Sequence, residues 1–342
     1  MAADAIIRIG ILGAARIAGK ALITPAREVP SATIAAVATR DQARADMFAL
    51  RHGIPTAYGS YEQMLDDPAI DAVYIPLPNG LHAQWSLRAL QAGKHVLCEK
   101  PFASNADEAA RVCDAANKSG LVMMEAMHYR YHPLVQRITA LLAEGAIGTP
   151  RHVQCWTSWP ITDPGDIRYS FALGGGALMD GGCYAIDCLR LLGLADPAVT
   201  GALADPVAGD GRVDRGVAAR LSYGDGLTGW FESVFTPDGE FRADVHVSGS
   251  AGHLWLRNFI NAQEGELTVT SVQDGIENVS TVPGSDPSLG PEGANTTFTW
   301  QLRAFVAAVL RDAPFPTTAA SAVTTMRVID DVYRAAGLPV RG

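Results

Sequence analysis

Lysine is scarce in this chain. Only four of its 342 residues are lysine (Lys20, Lys94, Lys100 and Lys118, none beyond residue 118), and the formal charge is −9. No basic run exists, so nucleic acid is not an expected partner. No apolar stretch approaches the ~18 residues that cross a bilayer. The start carries Asp4 and no basic n-region, and Arg8 and Arg16 break the apolar stretch behind it, so no signal peptide is read. Five cysteines are present, an odd number, with no C-x-x-C pair. Reduced thiols in a cytoplasmic protein are the simplest reading. Internal repeats and low-complexity tails are also missing. Charged residues make up 18%, too few for a coiled coil, and hydrophobic residues 48%, too many for a disordered chain.

What is present is a chain long enough for two domains. In the first third, short apolar runs alternate with helical patterns. Ile6–Leu12 ends at Gly13 and reads as a strand buried on both faces. A helix over Arg16–Arg27 follows, closed by Pro30, and then a strand over Thr33–Ala38. Asp41 reads as the N-cap of a helix that Gly53 closes. Strands at Asp71–Ile75, His95–Cys98 and Leu121–Glu125 alternate with helices at Leu81–Ala92, ended by Gly93, and Ala106–Lys118, followed by Gly120. Such alternation means a parallel sheet covered by helices.

The texture changes after about residue 127. Pro133–Glu144 reads as a helix, Thr149–Trp159 as a strand and Gly176–Leu192 as a long helix. Between residues 198 and 282, strand-like runs at Val217–Tyr223, Leu227–Phe235, Ala243–Ser248, His253–Arg257 and Leu267–Val272 suggest an antiparallel meander. A Pro/Gly/Ser-rich loop occupies 286–295, and helices at Thr297–Arg311 and Ala319–Ala336 close the chain. Two domains are expected, 1–127 and 128–342.

Four segments carry possible chemistry. The first strand runs into Gly13-x-Ala15-x-x-Ala18, a G-x-G-x-x-G pattern with two glycines replaced by alanine. Small residues there let a pyrophosphate approach the backbone at a helix N-terminus; an ordinary tight turn is the plain alternative. The second strand ends Thr39-Arg40-Asp41, without the acid that holds a ribose 2′-hydroxyl. Arg40 suits a 2′-phosphate, which favours NADP over NAD; Asp41 is the rival, though it sits where a cap is needed. Beyond His95–Cys98 comes Glu99-Lys100-Pro101. Ligands of open parallel sheets bind at such strand ends. Pro101 restricts Lys100 to an extended conformation, so its ammonium is rigidly aimed; a surface Lys–Glu pair is the alternative. In the second half, Gly174-Gly175-Gly176 opens a helix on which Asp180, Tyr184 and Asp187 share one face. Its glycines imply that something approaches closely, such as cofactor or substrate, while a plainly exposed polar face is the usual reading.

His128 and His132, four apart, match zinc spacing, but Pro133 follows at once and no further ligand is evident, so no metal is expected. Gly249-Ser250-Ala251-Gly252 lacks the glycine spacing of a nucleophile elbow. Trp230, Phe231 and Phe235 are read as occupying both faces of one strand, which needs two covers. A second subunit would supply one, hence a homodimer or larger homo-oligomer.

Gly10-Ile-Leu-Gly13 with Ile17-Ala18, then Pro76-Leu-Pro-Asn79-x-x-His82, then Glu99-Lys100-Pro101, resemble the Gfo/Idh/MocA oxidoreductases over nearly the full length. Gly174-Gly-Gly-x-x-x-Asp180 is similar to that family's second signature. Tyr184 where many members have His, with Asp166-Ile167-Arg168-Tyr169, looks like the branch of NADP-dependent xylose dehydrogenases, dihydrodiol dehydrogenases and glucose–fructose oxidoreductase. The resemblance implies an α/β fold: an N-terminal Rossmann domain and a C-terminal α+β domain with a large, mostly antiparallel open sheet. It implies cofactor contacts from Gly13, Ala15, Arg16, Ile17, Thr39, Arg40, Leu77, Asn79, His82, Glu99 and Lys100. Substrate contacts would come from Arg130, Arg168, Asp180 and Tyr184, and position alone adds Trp159, Trp255 and Phe259 to the pocket.

The expected reaction is NADP-dependent oxidation of a sugar or polyol hydroxyl, at pyranose C1 to give a lactone. Tyr184 would act as general base, Lys100 would lower its pKa, and Asp180 would orient the substrate or the lysine. Reduction of a keto- or anhydro-sugar, dihydrodiol oxidation, NAD-dependent glycoside hydrolysis and a non-catalytic sugar or cofactor sensor are the alternatives.

Overall fold

A computed structural model describes residues 5–192, 196–273, 275–289 and 295–342. The acidic start at Asp4 and residues 290–294 of the 286–295 loop lie outside the described residues. The chain forms two compact units. One comprises Met1–His128 with Phe298–Val323, the other Tyr129–Thr297 with Thr324–Gly342. This differs from the continuous division expected at residue 128, because a late segment returns to the first unit. The Glu125 amide donates to the Thr317 carbonyl (3.0 Å), and the Thr299 hydroxyl to Glu28 (3.1 Å). His128 stacks on Phe298 at 3.9 Å between ring centres. Such pairings across some 200 residues leave no mark on local periodicity.

The first unit is built on six parallel strands: β1 (Ile7–Leu12), β2 (Ala32–Ala38), β3 (Thr56–Tyr58), β4 (Ala72–Ile75), β5 (His95–Cys98) and β6 (Met123–Glu125). Their order is β3-β2-β1-β4-β5-β6. The Rossmann arrangement is therefore as the motifs implied. Ile9, Ile11, Val73, Tyr74 and Val96 are fully buried, as in a sheet covered on both faces. At Gly10 a Cβ would lie 2.6 Å from Met64 Sδ, so the methionine packs directly on the strand backbone. Asp41 caps the helix Gln42–His52, and Gly53 closes it at φ +68°. β3 and the helix Tyr61–Leu65 were not expected, since three and five residues are too few to show a period.

The second unit carries eight strands: β7 (Pro150–Trp159), β8 (Ala198–Val207), β9 (Asp210–Ser222), β10 (Thr228–Phe235), β11 (Arg242–Gly249), β12 (Gly252–Arg257), β13 (Glu266–Gln273) and β14 (Ile276–Pro283). The order is β14-β13-β12-β11-β7-β10-β9-β8. This corrects the simple meander: β7 inserts between β10 and β11, and it pairs with β10 in parallel. The other neighbours are antiparallel. Phe231, Ser233 and Phe235 all point to the buried face, toward the helix Cys183–Leu191. Only Trp230 of the three aromatics lies on the other face, where its ring centre is 5.6 Å from Trp156. The three aromatics thus occupy both faces of the strand, as expected, with alternation placing Phe231 and Phe235 together on one and Trp230 on the other. Among the described residues no helix is long and apolar enough to cross a membrane.

Candidate active site

In the first unit, β1 ends at Gly13, whose φ of +108° is closed to ordinary side chains; a Cβ there would also lie 2.9 Å from Leu77. Ala15 is half-buried, while Arg16 and Ile17 beyond it are exposed. At the end of β2 the Thr39 hydroxyl is engaged locally, donating to the Asp41 carbonyl (2.6 Å) and accepting from its amide (3.1 Å). The Asp41 carboxylate accepts from the Arg44 amide at 3.1 Å, so the rival acid serves as a helix cap. Arg40 is exposed, and Arg44 reaches the Ala14 carbonyl at 3.3 Å. Burial raises the Tyr61 phenol above its usual value, and the Arg40 and Arg44 charges oppose that rise. Two cations and a capped acid suit a phosphate better than a pair of ribose hydroxyls. Arg44 escaped sequence reasoning, although a first-turn arginine three residues past an N-cap at this strand end was a usable signal.

Two loops of this unit are tied together by His82. Its ring is fully buried, with Nδ1 2.7 Å from the Pro101 carbonyl and Nε2 2.7 Å from the Leu77 carbonyl. Burial lowers its pKa, the two carbonyls oppose that, and Lys100 adds to the lowering. His82 was expected among the cofactor contacts; both its ring nitrogens face backbone carbonyls, and the side chain joins the Leu77 turn to the Lys100–Pro101 turn. Asn79 opens the short turn Asn79–Leu81 between them and is half-buried. Glu99 is buried and accepts from the Tyr74 hydroxyl, while the Lys100 amide reaches its carboxylate at 3.3 Å. The Lys100–Pro101 peptide is cis, and the Lys100 side chain is half-buried.

In the second unit, Gly174–Gly176 leads into a π-helical turn, Leu178–Gly182, that continues as the helix Cys183–Leu191. The turn's wider winding departs from uniform α spacing between Asp180 and Tyr184. Asp180 is buried and accepts from Arg168 Nε at 2.8 Å. Arg168 also pairs with Asp166 at 3.2 Å, and the Asp180 charge foremost holds its pKa above the usual value, against burial and with help from Asp166. Tyr184 is 4% exposed. Its ring stacks on Trp159 (6.2 Å, 21°) and meets Tyr129 nearly edge-on (5.9 Å, 62°). Tyr129 donates to Asp187, which also takes Arg130 Nη1 at 3.3 Å. Arg130 is thus anchored to the helix. Phe259 lies behind Tyr129 at 5.1 Å. Trp255 falls on the other face of the sheet, stacked 6.4 Å from Trp156, and is no part of this cluster. The expectation failed because position in sequence does not tell which sheet face a strand residue takes.

Groups of the protein itself lie in the space at these glycines. A Cβ on Gly181 would lie 2.4 Å from the Trp159 ring and 2.6 Å from Ser233 Oγ; one on Gly175 would lie 2.4 Å from the Arg168 carbonyl. Of the two histidines with zinc spacing, His128 stacks on Phe298 and His132 Nδ1 accepts from the Leu134 amide at 3.2 Å. Gly181→Ala is expected to cost about 1–3 kcal/mol by overpacking against Trp159 and Ser233, read from urea unfolding midpoints. It should also change near-ultraviolet circular dichroism through the Trp159–Tyr184 stack.

The chain is 38% identical over 331 residues to D-xylose 1-dehydrogenase (NADP(+)) 2 of Haloferax volcanii, covering 96% of each. It is 37% identical over 259 residues, 73% of this chain and 74% of the other, to dTDP-3,4-didehydro-2,6-dideoxy-alpha-D-glucose 3-reductase of Actinomadura kijaniata. The crystal structure of KijD10, a 3-ketoreductase from that organism in complex with NADP and TDP-benzene, superposes with a TM-score of 0.85. At 30% identity the match covers 96% of this chain and 98% of that one. Residues 7–127 match the model of an oxidoreductase family with an NAD-binding Rossmann fold, and residues 135–255 match the GFO/IDH/MocA C-terminal domain. The chain therefore belongs to the Gfo/Idh/MocA family of oxidoreductases.

Proposed function

We propose that this protein is an NADP-dependent oxidoreductase that oxidises an aldose at the anomeric hydroxyl to a lactone. The carrying observation is the buried Tyr184 phenol, stacked on Trp159 and sharing one helix with the Arg168-held Asp180. Likeness over 96% of the chain to an NADP-dependent xylose 1-dehydrogenase supports the substrate class. When bound, NADP takes up the hydride leaving the sugar carbon. This chain's residues handle the proton. A sugar hydroxyl is too weak an acid to lose it unaided, so Tyr184 accepts it as general base. In this reading the role of Lys100 is to donate a hydrogen bond to the reacting oxygen and, by its charge, to favour phenolate as the base form. The Arg168–Asp180 pair and Arg130 orient the remaining hydroxyls. Gly13, Ala15, Arg16 and Ile17 would hold the pyrophosphate, Arg40 and Arg44 the 2′-phosphate, and Leu77, Asn79, Glu99 and Lys100 the nicotinamide end.

A second reading, reduction of a keto-sugar with Tyr184 as acid, is favoured by the likeness to the sugar 3-ketoreductase. A panel of aldoses, inositols, diols and nucleotide-linked keto-sugars, followed by reduced-cofactor absorbance with NADP and NAD, separates the readings. Tyr184→Phe should lower kcat at least about 10²-fold with cofactor Kd nearly unchanged; near-normal turnover would refute the assignment. Arg40→Ala with Arg44→Ala should raise KM for NADP about tenfold or more and leave KM for NAD unchanged, as lost charge-assisted contacts to a phosphate require.

The enzyme is proposed to work as a homodimer built on the outer sheet face, in the cytoplasm, where its five free thiols stay reduced. That face carries Trp156, Trp230 and Trp255, and a cavity of about 530 Å³ bordered by His152, Trp156, Arg220 and Trp230. The Trp255 indole N–H is buried with no acceptor among the described residues. Trp230→Glu should yield a monomer by sedimentation, since a charge there would be buried unpaired; an unchanged mass would exclude this face.

A further inference from the structure

We propose that Arg341 is a positioning residue for the acid–base group: with Asp214 it clamps the glycine turn from which Asp180 and Tyr184 are hung. The proposal rests on the reading of Tyr184 given above and concerns only what holds it in place. Arg341 and Asp214 form an ion pair in which both side chains are 0% exposed. Arg341 Nε donates to the Gly175 carbonyl at 2.8 Å. Asp214 Oδ2 accepts from the Leu178 amide at 2.7 Å, and its Oδ1 from Tyr333 at 3.0 Å. One ion pair thus grips both sides of the turn, the carbonyl before Gly176 and the first amide of the π-helical turn. Asp180 follows two residues later and Tyr184 six.

The turn is shaped for this grip. Gly176 has a φ of +128°, and a Cβ there would lie 2.2 Å from Asp214 Oδ1 and 2.9 Å from Arg341 Nη2. The Gly176 amide donates to the Arg168 carbonyl at 2.8 Å, and the Arg168 guanidinium holds Asp180. Ser233 Oγ donates to the Ala177 carbonyl at 2.8 Å. The Arg341 guanidinium lies 4.0 Å from the Tyr333 ring centre, which keeps it from turning away. A buried ion pair adds little net stability compared with an apolar pair of the same volume. What it supplies is direction: two donors and two acceptors meet at fixed angles. Acid–base transfer is sensitive to displacements of about an ångström, so a clamp on the turn acts on turnover more than on folding.

The experiment compares Arg341→Ala, Arg341→Lys, the uncharged pair Arg341→Met with Asp214→Asn, and Tyr184→Phe. Each is measured for kcat, KM, the pH profile of kcat, cofactor Kd and melting. The uncharged pair is expected to fold, bind cofactor with unchanged Kd and lose about tenfold or more in kcat, with a displaced pH midpoint. Added guanidinium ion should restore kcat to Arg341→Ala, and Arg341→Lys should fall between. A folded uncharged pair with normal kcat and pH profile would overturn the clamp. So would a loss that merely tracks the unfolded fraction and ignores guanidinium. Near-normal turnover in Tyr184→Phe would instead bring down the acid–base reading and this proposal with it. An inactive Tyr184→Phe beside fully active clamp variants fails the clamp alone.

Discussion

Close packing around backbone that only glycine permits is the constraint on which the second unit's chemistry depends. The Trp159 ring and Ser233 occupy the space that a side chain on Gly181 would need, and Trp159 is the same ring that stacks on Tyr184. The Arg341–Asp214 pair fills the equivalent space at Gly176. The phenol stacks on a ring from a sheet strand, and a buried charge pair holds the turn that leads into its helix. Glycine in a helix is costly, and here its cost is offset by the approach it allows.

A comparable economy shapes the first unit. Its β1, β2, β4 and β5 strands end at one edge of a parallel sheet, where a ligand meets chain ends and not side-chain walls. Gly13 keeps that edge open at β1. The imidazole of His82 spans two loops at β4 and β5 by facing one carbonyl of each, and so couples the Leu77 turn to the turn that carries Lys100. The charge of Arg40 and Arg44 at the end of β2 is available because Asp41 is engaged as a cap.

Much of this was legible from residues alone. Alternating apolar runs located β1, β2, β4, β5 and β6 to within two residues, because a buried parallel strand is apolar throughout and leaves a local signature. Asp41, Gly53 and Gly120 marked helix ends through their own backbone chemistry. The polar groups of the candidate site were legible too, since Lys100, Asp180 and Tyr184 stand in spaced motifs. What eluded the sequence was relational. The insertion of β7 between β10 and β11, the return of Phe298–Val323 to the first unit and the face taken by Trp255 all depend on partners far along the chain.

Sequence by itself determined the element types of the first sheet, the family and the chemical groups on offer, because period, turn residues and spacing are local properties. Tertiary structure alone decided that the helix glycines admit Trp159, Ser233, Asp214 and Arg341, and that His82 binds two carbonyls. Those outcomes are set by which surfaces exclude water together, and burial is a property of the folded whole that no single segment carries.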